Sequence, residues 1–139
     1  NFNTEDDMGL FSKLFKKTTT DMTFDKVAPS DKMTLENQNG MITGFDRTML
    51  EKYLYDMFRD SNQFVTLTLT NADYGIRYIQ ACRLQKGISI QLGIEENGRT
   101  KLVEKVVEQE ECLDVFRTFY ETGFVYRQEE YHPLEMMKR

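Results

Sequence analysis

The chain has no tryptophan, one histidine, two cysteines and two prolines in 139 residues, and each shortage removes a class of chemistry. His132, beside Pro133, is the one imidazole. A Ser-His-Asp or Cys-His site would need it to meet Cys82, Cys112 or one of Ser12, Ser30, Ser61 and Ser89. None of these stands in a G-x-S-x-G turn, so His132 reads as a surface or capping histidine. Cys82 and Cys112 give neither a disulfide framework nor metal-ligand spacing, so no metal and no cofactor are expected. Two reduced core thiols suit a reducing compartment, and the expected location is the cytoplasm. No apolar run approaches the roughly 20 residues of a membrane span, and no secretory signal is read. Gly40 and Gly44 lack the Lys-Ser/Thr pair of a phosphate-cradling loop.

Positive charge is also short. Lysine and arginine number 18 against 23 aspartates and glutamates, a net −5. That balance disfavours broad contact with nucleic acid or acidic lipid and favours a basic partner. Arg77, Tyr78 and Arg83 hint at a nucleic-acid surface, but period-two alternation sets Tyr78 on the side opposite both arginines. Carboxylates are plentiful, yet Glu95-Glu96, Glu110-Glu111 and Glu129-Glu130 are chain neighbours, which helices and strands point apart. No general acid/base pair is read from them. The chain is not expected to be an enzyme.

What is present is a run of alternating segments over residues 63–107. Val65, Leu67 and Leu69 alternate with Thr66, Thr68 and Thr70. Ile76, Tyr78, Gln80, Cys82 and Leu84 alternate with Arg77, Ile79, Ala81 and Arg83, and Cys82 is placed on the apolar side. Ile88, Ile90, Leu92 and Ile94 alternate with Ser89, Gln91, Gly93 and Glu95. Such alternation buries one face of a sheet and wets the other. Gly87 closes one turn, and Asn97-Gly98, tolerant of positive φ, closes the next before a fourth segment at 100–107.

Two helices flank this meander. Asp46 reads as an N-cap, followed by an apolar stripe of Met49, Leu50, Tyr53, Leu54, Met57 and Phe58. The second helix is expected from about Glu108 to Thr122, with Leu113, Phe116, Phe119 and Tyr120 inward and Gly123 just past its end. The fold class is therefore α+β: a four-stranded antiparallel meander packed by two helices, with an extra C-terminal strand possible over residues 124–131. Residues 10–139 form one domain with an irregular arm at 18–44, broken by a short extended piece around 22–27. Residues 1–9 read as a remnant or an unstructured start ahead of it. Leu10-Phe11-Ser12-Lys13-Leu14-Phe15-Lys16-Lys17 is a short amphipathic helix, docked on the domain or in weak contact with a membrane surface.

Function, on these residues, points to an acidic and aromatic surface. Glu104, Glu108, Glu110, Glu111 and Asp114 crowd the start of the second helix against Lys105. Tyr126, Glu129, Glu130 and Tyr131 follow in the tail. Rigid rings and steering carboxylates suit an interface with a basic protein. The runs Arg77-Tyr78-Ile79-Gln80-Ala81, residues 88–95 and residues 111–123 resemble the small bacterial immunity proteins that accompany secreted polymorphic toxins. The likeness spans residues 62–131. It implies a cytoplasmic, non-enzymatic inhibitor that binds one cognate toxin domain and blocks it. The alternative is a secretion chaperone or adaptor acting as a homodimer, for which eight methionines would supply adaptable surface.

Overall fold

The computed structural model describes residues 32–70 and 75–134. In chain order the elements are β1 (Met33–Asn37), β2 (Gly40–Ile42), α1 (Arg47–Phe58), β3 (Phe64–Leu69), β4 (Gly75–Arg83), β5 (Ile88–Glu96), β6 (Arg99–Val107), α2 (Gln109–Thr122), a 3-10 turn (Gln128–Glu130) and β7 (His132–Pro133). They build an open α+β fold whose seven-stranded sheet has the order β2-β1-β3-β4-β5-β6-β7. All neighbouring strands run antiparallel.

The expected meander is β3 to β6, four of the seven strands. Its turns use the residues that positive φ requires: Gly87 at φ 82, Asn97 at 51 and Gly98 at 79. The part of the expected arm that is described is not irregular. Residues 33–42 form a hairpin, and β1 pairs with β3 from Met33↔Leu69 to Glu36↔Thr66. The piece near residues 22–27 and the 10–17 segment lie outside the described residues, as does the 1–9 start.

Both helices stand on one face of the sheet. Leu50, Leu54, Met57 and Phe58 of α1 and Cys112, Leu113, Phe116, Phe119 and Tyr120 of α2 share one buried cluster with inward strand residues. Those strand residues include Leu35, Val65, Leu67, Ile79, Ala81, Ile90, Leu92 and Val103. At about 25 cal/mol per Å² of apolar surface, such burial is the main stabilising term of the fold. Met49, expected in the α1 stripe, is instead exposed. Asp46 caps α1 by accepting from the Met49 N–H at 2.9 Å. Gly123 ends α2 at φ 73, its N–H reaching the Phe119 carbonyl at 2.7 Å.

Two expectations are corrected. In β4 the ladder slips between Ile76 and Tyr78. This bulge keeps Ile76 inward but turns Tyr78, Gln80 and Cys82 to the far face and Ile79 and Ala81 to the core, since a one-residue slip exchanges faces. Cys82 therefore lies half-buried on the open face, and only Cys112 is a core thiol. The terminal strand does not occupy 124–131 either. Arg127 takes a left-handed conformation (φ 56, ψ 46) and the 3-10 turn follows, so pairing begins at His132↔Glu104 and Pro133↔Val103. Pro133 sits within this edge strand, a place where a missing N–H is tolerated.

Candidate functional site: an acidic corner and an open sheet face

The residues singled out in the α2 start and in the tail come together at Lys105. The pleat of β6 sends Glu104 to the open face and Lys105 to the helix side. There the ammonium donates to Glu111 Oε2 of α2 at 2.7 Å and to Glu130 Oε1 of the 3-10 turn. It also lies 5.8 Å from the centre of the Tyr131 ring, within cation–π range. Its hydrogen bonds to Glu111 and then to Glu130 raise the Lys105 pKa, and the bond accepted from Lys105 lowers that of Glu130. Arg127 adds longer contacts, 3.7 Å to Glu111 and 3.9 Å to Glu130. Its left-handed backbone turns the tail back toward Lys105.

The corner does not use its acids alike. Glu111 and Glu130 are held by cations, and Asp114 lies 3.9 Å from Arg117 with 77% of its side chain exposed. Glu108, Glu110 and Glu129 are exposed and have no ion pair among the described residues. Glu108 is the cap residue of α2 rather than part of its first turn, and its side chain makes no capping bond. Glu110 and Glu111 stand in that turn, where the helix dipole favours anions. Tyr131 belongs to the core, 6% exposed, and burial pushes its phenol up to about 12. Its ring is not contact surface. Tyr126 is 65% exposed and meets Phe124 edge-on at 5.0 Å between centroids, giving an aromatic pair on the outside.

The sheet's other face carries no described helix or strand. Ladder register lines up Glu36, Thr66, Gln80, Gln91 and Glu104 side by side across β1, β3, β4, β5 and β6. Thr66 donates to Gln80 Oε1 at 2.8 Å, and Ser89 donates to Glu104. In the next row Tyr78 opposes Gly93. Its ring lies over the glycine, since a Cβ built there would fall 2.2 Å from Tyr78 Cε2. The sequence alone does not single out this row as a site. Thr66 and Gln91 stand in the polar half of the alternation that marks the strands, whereas Gln80 joins them only through the bulge in β4.

Ser89, Glu104 and His132 are close in register, but the serine hydroxyl points at the carboxylate rather than at the imidazole, and Ser89 is 1% exposed. That arrangement gives no base-activated, accessible nucleophile. Burial, and then Glu104, raise the Cys82 pKa, which keeps the thiol protonated and poorly nucleophilic. No group of His, Cys, Asp and Glu among the described residues is arranged to hold a metal ion. No described helix is long and apolar enough to cross a membrane. No family model, curated protein or solved structure matches the chain.

Proposed function

We propose that this chain is a non-enzymatic protein-binding module, an immunity-type inhibitor that seats its acidic corner on the basic surface of a cognate toxin domain and blocks it. The observation that carries this reading is the division of labour at Lys105. Internal cations fix Glu111 and Glu130, while Glu108, Glu110 and Glu129 face outward beside them with no ion pair among the described residues. Such unspent carboxylates raise the rate of encounter with a basic surface and set its orientation. The exposed Phe124 and Tyr126 pair supplies rigid contact area of the kind that dominates interface energy. A reducing, cytoplasmic setting would suit the free thiols.

The test is capture of basic toxin domains, starting with any found encoded next to this chain's gene, with kinetics measured at two salt concentrations. Glu108→Lys with Glu110→Lys should slow association about tenfold at low salt and flatten its salt dependence, with the melting curve unchanged to within about 1 kcal/mol. An unchanged association rate and salt slope would refute the acidic interface. A stable homodimer by light scattering, lost in the same variant, would favour the adaptor reading instead.

A further inference from the structure

We infer that the open face of the sheet is a docking groove for an extended, basic segment of the partner, with one cationic side chain held at Glu36 and another at Glu104. This rests on the proposed partner-binding function and names a second surface for it. Among the described residues neither carboxylate has an ion pair, though Glu104 accepts from the Ser89 hydroxyl, whereas Glu95 on the same face is paired with Arg77 at 3.4 Å. Four interstrand gaps separate Glu36 from Glu104 in the row, about 19 Å at roughly 4.8 Å per gap. An extended chain covers that distance in about six residues.

Between the two ends the groove offers neutral, planar hydrogen-bonding groups. Gln80 and Gln91 are half-buried neighbours, and the hydroxyl of Thr66, itself buried, fixes Gln80 from below by donating to its Oε1. That leaves amide donors and acceptors for a polar segment lying across them. Beside the row, the Tyr78 ring is pressed on one side against Gly93, and its outer side is a platform for a stacking guanidinium. The occupant is a different protein rather than a second copy. A two-fold pairing of this row with itself would bring Glu36 against Glu104, like charge on like charge. Glu104 also joins the row to the acidic corner, because Lys105 follows it on the opposite pleat of β6. A partner gripping this end of the sheet would touch both.

The experiment titrates the isotope-labelled full chain at low salt with a capped peptide carrying two arginines separated by five Ser, Thr and Gly residues. Shift changes should concentrate at Glu36, Thr66, Gln80, Gln91 and Glu104, including the two glutamine side-chain amides. Glu36→Gln and Glu104→Gln should each weaken binding about fivefold, the factor for one exposed ion pair of about 1 kcal/mol. The double variant should lose about 25-fold, because sites this far apart add. A control peptide with adjacent arginines reaches one carboxylate only and should bind about fivefold more weakly. Shifts confined to α2, equal affinity for both peptides, or chain self-association at this face would overturn the inference. The peptide reads the open face alone and toxin capture reads the corner, so failure of one is seen separately from failure of the other.

Discussion

Replacing Gly93 with alanine tests whether the Tyr78 ring is seated as described. Gly93 lies in the middle of β5, where alanine normally improves on glycine by roughly 0.5–1 kcal/mol because it restricts the unfolded chain more. Here the new Cβ would sit 2.2 Å from Tyr78 Cε2, 2.5 Å from Cζ and 2.7 Å from Cδ2. Ordinary contact begins near 3.4 Å, so the ring must lift by more than an ångström and give up its seat on the strand. Overpacking of this kind costs about 1–3 kcal/mol. Set against the strand preference, Gly93→Ala should destabilise the domain by about 1–2 kcal/mol, read as a lower urea midpoint at constant slope. In a Tyr78→Ala background the obstruction is gone, and the same substitution should stabilise by roughly 0.5–1 kcal/mol. The sign of the effect therefore reverses, and the double-mutant cycle should show coupling of about 2 kcal/mol. Equal destabilisation in both backgrounds would show that something other than the ring excludes a side chain at Gly93.

Removing the α1 cap by Asp46→Ala should cost about 1 kcal/mol, while Asp46→Asn, which still accepts from Met49, should cost far less; thermal melts separate the two. Alkaline pH should destabilise the fold, because burial raises both the Cys112 thiol and the Tyr131 phenol to about 12. Their folded pKa values lie above the unfolded ones, so their contribution is whole below about pH 9 and is lost as pH climbs toward 12. Urea midpoints between pH 8 and 11 should fall, at up to about 1.4 kcal/mol per unit for each group, and Cys112→Ala should remove the portion that begins near pH 9.

The central sheet and both helices were legible because several local signals agreed. Period two, glycine or Asn-Gly at the turns, Asp46 before α1 and Gly123 after α2 each point to the same elements. The β1–β2 hairpin was hidden for a physical reason. Met33, Leu35 and Asn37 do alternate with Thr34 and Glu36, but the strand is five residues long and its third inward position is an asparagine. Asn37 is tolerated there because its amide donates to Asn62 Oδ1 at 3.2 Å, and Asn62 in turn donates to the Tyr53 carbonyl of α1 at 3.1 Å. That network joins residues far apart in the chain and leaves no local trace. The phase of β4 departs from plain alternation because a bulge is one residue of ladder geometry, set by what the neighbouring strand offers. Opposite a strand with a glycine at position 93, the Tyr78 side can face outward and still be seated.

The acidic candidates illustrate the same boundary between composition and geometry. Their number and place in the chain were readable; which of them remain available was not, because that depends on Lys105. Its position on β6 pairs with Ile90 and faces the helix side, where alternation alone would call for an apolar residue. A lysine there does little for stability, since its pairs with the part-exposed Glu111 and the exposed Glu130 are screened by solvent. What it does is geometric. With Glu111 on α2 and Glu130 in the turn both drawn to one ammonium, the tail is pinned across the end of β6 in a single register, and His132 and Pro133 are delivered to the sheet edge. The carboxylates that Lys105 does not reach then lie at fixed positions along that edge, and Glu104, one residue earlier, carries the negative surface over to the open face. An acidic stretch on a loose tail would attract basic proteins without discrimination; held in one register, the same charges can select among them.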